Sequence, residues 1–82
     1  MTMADASLEQ LVVRARRGDA RAFADAIGRC ERAMLAAAFG VLGDEHAAAD
    51  AVQDAAMKAW LSLGRLADPA RFAAWGVGIA RN

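Results

Sequence analysis

Apolar residues recur at alternating steps of four and three positions through the first half of this chain. This spacing places them on one side of an α-helix, as expected for a helix that packs lengthwise against its neighbours. Such a helix is about 30 Å long, and Gly28 in its middle favours a bend or a close helix crossing. An 82-residue chain must bury a seam of this kind, because its core is only marginally sufficient. The seam consists of Phe23, Ile27, Cys30, Met34, Ala37 and Val41.

The composition and the boundary signals both favour helices. The chain is rich in alanine and has no tyrosine and one proline, which favours helix over strand. Capping residues begin four segments, at Ser7, Asp19, Asp44 and the Asp68-Pro69 pair, and glycines follow the first two segments. We predict an all-α fold, a compact four-helix bundle forming one domain over residues 1–82. The predicted helices span about 7–17, 19–42, 44–63 and 69–82.

The third predicted helix has two sides that need a partner. On a helix of 3.6 residues per turn, one side is apolar and the other combines carboxylates with Met and Leu. The pattern predicts a helix that packs into its own domain and also docks another protein. One alternative is that the side with the carboxylates is only a solvated face. Another is that Met57 and Leu61 belong to the core. The apolar side holds Val52, Ala56, Ala59 and Leu63, and the other holds Asp50, Gln53, Asp54, Met57 and Leu61.

The formal charges sum to zero but are unevenly distributed. Residues 14–32 carry six arginines against three acids. Residues 44–54 carry four acids and no Lys or Arg, and residues 58–82 carry four basic residues against one acid. This basic, acidic, basic order favours two partners of opposite sign, with solvated helix faces as the alternative.

Several classes of protein are not supported by the sequence. A single cysteine, Cys30, excludes an internal disulfide, and Cys and His show no metal-ligand spacing. No signal peptide or membrane-spanning run is visible, so we expect a soluble, cytoplasmic chain without a membrane partner. No nucleophile and base pair, phosphate loop or carboxylate dyad is apparent, so we expect no enzyme, cofactor or metal. His46 is expected at the surface, and Trp60 and Trp75 in the core rather than stacked on bases.

A series of short motifs occurs in a definite order along the chain. The series resembles region two of extracytoplasmic-function sigma factors, and the likeness runs from about residue 8 to residue 82. It comprises Leu11-Val12 to Gly18-Asp19, Ala22-Phe23, Leu42-Gly43-Asp44, Asp50-Ala51-Val52-Gln53-Asp54, Lys58-Ala59-Trp60, Phe72-Ala73-Ala74-Trp75 and Ile79-Ala80-Arg81-Asn82.

The resemblance implies a helical bundle that binds the clamp helices of the RNA polymerase β′ subunit and recognises and opens the promoter minus-ten element. It implies that the loop from Gly64 to Ala70, with the start of the fourth helix, faces the non-template strand. An anti-sigma factor is a further candidate partner. The polymerase-binding candidates are Asp50, Gln53, Asp54, Met57 and Leu61. The DNA-binding candidates are Lys58, Arg65, Arg71, Arg81 and Asn82, whereas Arg14, Arg16, Arg17, Arg29 and Arg32 are expected only to solvate their helices.

The chain departs from the family pattern at two places. Ala56 replaces a large apolar residue, and Gly76-Val77-Gly78 replaces Leu, an aromatic residue and Arg. Two glycines weaken the fourth helix by about 2 kcal/mol. The basic continuation of that helix and the helix-turn-helix domain that reads the minus-35 element are missing after Asn82. We therefore expect a fragment or a domain that does not select a promoter alone. The alternative function is a sigma-like helical protein-interaction module without promoter binding.

Overall fold

The computed structural model describes residues 5–82, which form four α-helices. Two short 3-10 turns, Leu63–Arg65 and Pro69–Arg71, lie between the third helix and the fourth. No strand occurs within the described residues, and the prediction of an all-α four-helix bundle is confirmed. The helices are α1 (Leu8–Arg16), α2 (Ala20–Leu42), α3 (Glu45–Ser62) and α4 (Phe72–Arg81).

Side-chain caps begin the first three helices, as the sequence predicts. The Ser7 hydroxyl accepts a 3.0 Å bond from the Gln10 amide, and the Gln10 side chain accepts a 2.9 Å bond from the Ser7 amide. The Asp19 and Asp44 carboxylates accept bonds of 3.1 and 2.9 Å from the amides three residues further on. Each cap satisfies a helix N–H group that has no partner within the helix, and contributes about 1 kcal/mol.

Glycines with positive φ separate the first three helices. Gly18 has a φ of 98° and Gly43 a φ of 66°, in the region that L side chains rarely adopt. The Gly43 amide donates a 2.8 Å bond to the Phe39 carbonyl, which closes the last turn of α2. These two glycines let the chain reverse within a few residues, so successive helices can pack on each other.

The central helix is α2, because α1, α3 and α4 all pack against it. Half of the buried apolar residues in the described chain are alanines, and such short side chains let helix axes approach closely. The buried residues of α2 are Ala22, Phe23, Ala26, Cys30, Met34 and Ala38.

Four aromatic side chains connect α2, α3 and α4. The Phe23 ring of α2 lies edge-on to the Trp60 ring of α3, with centroids 5.0 Å apart, and to the Phe72 ring of α4, at 6.1 Å. Phe72 also contacts Trp75, with centroids 6.1 Å apart. Trp75 is half-buried, but Trp60 keeps 37% of its surface exposed. The expectation of two core tryptophans is therefore correct in part.

The predicted seam of α2 is right over its first half and wrong at its end. Val41 is 60% exposed, and Ile27 and Ala37 are half-buried. The physical reason is length: α2 is about 34 Å long, whereas α1 and α4 are each about 15 Å or less. These two helices are too short to cover the whole length of α2, and the large apolar side chains at its end remain exposed.

The close helix approach expected at Gly28 does not occur, and the glycine that faces another helix is Gly76. Nothing lies within 4 Å of a Cβ built on Gly28, whereas a Cβ on Gly76 would lie 3.6 Å from the Met34 sulfur. Gly76 is buried, so this glycine in α4 is part of the contact with α2. A contact between helices distant in sequence leaves no local pattern that would have revealed it.

Gly78→Ala should raise the free energy of unfolding by about 0.5–1 kcal/mol, because alanine is the better helix former. A Cβ at this position meets nothing within 4 Å. Chemical denaturation followed by circular dichroism measures the change. The matched control is Gly43→Ala, which should lower the stability by about 1 kcal/mol, because Gly43 has a φ of 66°. A Gly78→Ala chain no more stable than the parent would contradict the expectation.

Candidate functional site

The side of α3 that packs into the bundle consists of small residues. Its buried positions lie three or four residues apart, so they form one narrow stripe. They are Ala48, Val52, Ala55 and Ala59, and Leu63 continues the stripe beyond the helix. Ala56, which the sequence placed on this side, is half-buried. A stripe this narrow leaves most of the circumference of α3 available to other molecules.

The opposite side of α3 is exposed, and we call it the α3 outer face. Met57 is 64% exposed and Leu61 is 78% exposed, so the alternative that these two side chains belong to the core is wrong. A shallow concavity of about 600 Å³ lies along this side, next to the carboxylates. The α3 outer face consists of Asp50, Gln53, Asp54, Met57 and Leu61, all of them exposed.

The α3 outer face combines negative charge with apolar surface. Asp54 makes a 3.3 Å ion pair with Lys58, one turn further along α3. Both side chains are about two-thirds exposed, so solvent screens the pair and it contributes about 0.5 kcal/mol or less. Asp50 has no ion-pair partner within residues 5–82. Lys58, a DNA-binding candidate, thus lies beside a polymerase-binding candidate.

The segment between α3 and α4 is more regular than the predicted loop. Leu63 and Leu66 are buried and hold it against the bundle. The Leu66 amide donates a 3.1 Å bond to the Leu63 carbonyl, which closes the first 3-10 turn. The Asp68 carboxylate accepts a 3.0 Å bond from the Ala70 amide, as expected for an N-cap before Pro69. The segment therefore presents its exposed side chains from a defined backbone.

The DNA-binding candidates fall into three places on the surface, and all five are exposed. Arg65 and Arg71 occupy the two 3-10 turns. Arg81 and Asn82 lie at the other end of α4, about 15 Å from Arg71 along the helix. The third place is Lys58 on α3. In the described part of the chain, the three arginines make no ion pair.

Two further features are not visible in the sequence pattern. The Arg29 side chain of α2 donates a 2.6 Å bond to the carbonyl of Ala6, 23 residues earlier, and so attaches the segment before α1 to α2. At the end of α2, Phe39, Val41 and Leu42 are 47%, 60% and 48% exposed. Of the three, Phe39 lines a mainly apolar groove of about 410 Å³ between α2 and α3.

The remaining reactive side chains form no further site. Cys30 is buried, and burial raises the pKa of its thiol, so the thiol stays neutral near pH 7. His46 is exposed at the start of α3. Within residues 5–82, no three His, Cys, Asp or Glu side chains are grouped as metal ligands would be. In the same residues, no helix has the length and apolarity needed to cross a bilayer.

Asp68→Ala should lower the free energy of unfolding by about 1 kcal/mol, because the Ala70 amide loses its cap. Thermal unfolding followed by circular dichroism measures the loss. Asp25→Ala is the matched control, since Asp25 is exposed and caps no helix; it should change the stability by less than about 0.5 kcal/mol. Equal effects of the two substitutions would show that the Asp68 cap does not stabilise the turn.

Comparison with known proteins places this arrangement of helices in a family. The family described as Sigma-70 region 2 matches residues 26–82, from the first half of α2 to the last residue. Over 78 residues, 95% of this chain, the sequence is 32% identical to a Xanthomonas campestris pv. campestris protein named "Probable RNA polymerase sigma factor RfaY". The chain spans only 20% of that relative's length. No solved structure matches the chain significantly.

The family match includes α3, both 3-10 turns and α4, and therefore all the candidate binding residues. It covers well over half of the chain, and the match to the Xanthomonas campestris protein extends the likeness through α1 and the start of α2. The chain belongs to the sigma-70 region 2 family.

Proposed function

We propose that this chain is a transcription-initiation module that docks on RNA polymerase through the α3 outer face. The observation that carries the proposal is the combination on this face of exposed carboxylates with Met57 and Leu61, which are 64% and 78% exposed. Membership of the sigma-70 region 2 family supports it, as does the name of the Xanthomonas campestris relative. The proposed partner surface is the pair of clamp helices of the β′ subunit.

The chemistry of the α3 outer face suits a helical protein partner. Two large apolar side chains one turn apart, Met57 and Leu61, can insert between the side chains of a facing helix. Covering these side chains removes apolar surface from water, which stabilises the complex by about 25 cal/mol for each Å² of apolar surface buried. Asp50 and Asp54 select a partner with basic side chains, and they disfavour an acidic partner. The proposed interface therefore has an apolar centre and charged residues that set its specificity.

The proposed DNA side lies at the connection between α3 and α4. We propose that Arg65, Arg71 and the start of α4 face the non-template strand of the opened minus-ten element. Support comes from the defined backbone of the two 3-10 turns and from these two unpaired, exposed arginines. Guanidinium groups without an intramolecular partner can bind phosphate oxygens without first breaking an ion pair. Arg81 and Asn82 would contact the same strand further along.

Replacing Asp50 and Gln53 together by Ala should weaken binding to the β′ clamp helices about tenfold or more, because both polar side chains would lie in the interface. Biolayer interferometry with an immobilised fragment carrying the clamp helices of a bacterial RNA polymerase measures the affinity. The thermal unfolding temperature should stay within a few degrees of the parent's, since both side chains are exposed.

The matched control for this experiment is the double substitution Asp25→Ala/Glu31→Ala. Both control residues are exposed acids on α2, so the control removes more negative charge than the test variant and leaves the α3 outer face intact. If the control weakened binding as much as the test variant, the attraction would depend on overall charge alone. If the test variant bound as tightly as the parent, docking through α3 would be refuted.

The double substitution Arg65→Gln/Arg71→Gln should weaken binding to single-stranded DNA and reduce its salt dependence. Each lost phosphate contact lowers the slope of log affinity against log salt concentration by about 0.7 on a single strand. Fluorescence anisotropy of a labelled oligonucleotide, measured over a salt series in the presence of core polymerase, tests this. Arg32→Gln on α2 is the control. A double variant with the parent's salt slope would exclude both arginines from DNA contact.

A second candidate function is the sigma-like interaction module without promoter binding. The observation that favours it is the exposed apolar patch formed by Phe39, Val41 and Leu42, far from the candidate DNA residues in sequence. An anti-sigma factor is a candidate partner in either case. Salt dependence separates the two functions, because phosphate contacts weaken as salt rises and apolar association does not.

A further inference from the structure

Four arginines gather where α1 ends and α2 begins. Arg14 and Arg16 lie in the last turn of α1, Arg17 caps its C-terminus, and Arg21 lies in the first turn of α2. We call these four residues the arginine corner. Arg14 is half-buried, and the other three are exposed. None of the four makes an ion pair with any part of the chain that the structure describes.

The acids near the arginine corner do not neutralise it. Asp19 is half-buried, and its carboxylate accepts the capping bond from the Ala22 amide. Glu9 lies in the first turn of α1 and lines the same concavity as Arg14 and Arg17, but it makes no ion pair within the described residues. Asp25 lies one turn beyond Arg21, is exposed and pairs with nothing in the described residues. The corner therefore keeps an excess of positive charge at its surface.

Helix electrostatics explains only part of this cluster. Arg14 and Arg16 lie near the C-terminus of α1, where the helix dipole favours positive charge. Arg21 lies at the N-terminal end of α2, where the same dipole disfavours a cation. The dipole therefore does not account for Arg21, which is exposed and makes no ion pair in the described residues.

The fold brings the arginine corner near the proposed DNA side. α1 packs directly against the Pro69–Arg71 turn. Because α1 has nine residues, it is about 14 Å long. Its last turn, which carries Arg14 and Arg16, therefore lies within about 14 Å of its first turn. A DNA strand places a phosphate every 3.4 Å or so along the duplex axis. About four phosphates therefore span the length of α1.

We propose that the arginine corner binds DNA phosphates, which extends the DNA-facing surface from the Pro69–Arg71 turn along α1 to the start of α2. The partner is the phosphate backbone of duplex DNA, contacted without regard to base sequence. The inference deepens the proposed function and rests on it for the position of the DNA. It also revises the expectation that Arg14, Arg16 and Arg17 only solvate their helices.

The test compares two arginines of α2 that lie on the same side of the helix. Arg32 follows Arg21 by eleven positions, about three turns and 16 Å further along. Both are exposed, and neither makes an ion pair in the described part of the chain. Arg21→Gln and Arg32→Gln thus change the same charge in the same setting, and only Arg21 belongs to the arginine corner. The third variant is Arg17→Gln/Arg21→Gln.

The probe is a fluorescein-labelled duplex of mixed sequence, and anisotropy measures its binding from about 50 to 200 mM salt. The slope of log affinity against log salt concentration should fall by about 1 for Arg21→Gln and by about 2 for the double variant. Arg32→Gln should keep the parent's slope. At the lowest salt the double variant should bind several-fold more weakly than the parent.

Three outcomes would overturn the proposal. The first is a double variant with the parent's slope and affinity, and the second is a parent chain that does not bind the duplex even at the lowest salt. The third is a double variant that binds the duplex normally but binds polymerase weakly, which would make the corner a protein contact.

The polymerase measurement keeps the two proposals separate. If Asp50→Ala/Gln53→Ala fails to weaken binding to the clamp helices while Arg17→Gln/Arg21→Gln lowers the salt slope on duplex DNA, the phosphate surface stands and docking through α3 does not. If the clamp-helix result is as expected and the salt slope is unchanged, docking stands and the phosphate surface does not.

Discussion

The contact of Phe23 with Trp60 and Phe72 holds together the three helices that carry the candidate surfaces. Its two edge-to-face geometries, with centroids 5.0 and 6.1 Å apart, are favourable beyond the apolar area that they bury. Elsewhere the core consists largely of alanine, which buries little area per residue. The position of α3 therefore depends strongly on these aromatic rings, and Leu63 and Leu66 hold the turns before α4.

Alanine packing also explains why so much of α3 is available to a partner. A helix that contacts its neighbours through Ala48, Ala55 and Ala59 approaches them closely and needs only a narrow stripe to do so. Met57 and Leu61 lie on the opposite side of α3 and remain exposed. A family member with a large residue in place of Ala56 would bury more area on this side of α3.

The features that could be predicted from the sequence are those with local causes. Helix caps depend on residues three positions apart, and the two sides of α3 follow from helical periodicity, so both were found. Val41 was misplaced because periodicity identifies a helix side but not the length of the neighbouring helices. The Gly76–Met34 contact and the bond from Arg29 to Ala6 join distant segments, and only the fold brings them together.

The arginine corner is a second case in which a contact between distant segments could not be predicted from local sequence patterns. From the sequence alone, Arg14, Arg16 and Arg17 were expected only to solvate their helices. Only the packing of α1 against the Pro69–Arg71 turn connects the helix that carries three of them with the proposed DNA side. Contact between segments more than fifty residues apart carries no signal in one sequence, whereas the acidic side of α3 could be found because all its members lie on one helix.

Zero net charge in this chain reflects two surfaces of opposite sign rather than an even mixture. Two carboxylates lie on the α3 outer face, and four arginines lie at the corner between α1 and α2. The field of such an arrangement falls off faster than that of a net charge, and salt at 0.1 M screens it beyond about 10 Å. Neither surface can attract a partner from afar, so charge acts mainly after encounter. Specificity for the proposed protein partner then comes from contacts made at short range, where Asp50 and Asp54 favour basic side chains next to Met57 and Leu61.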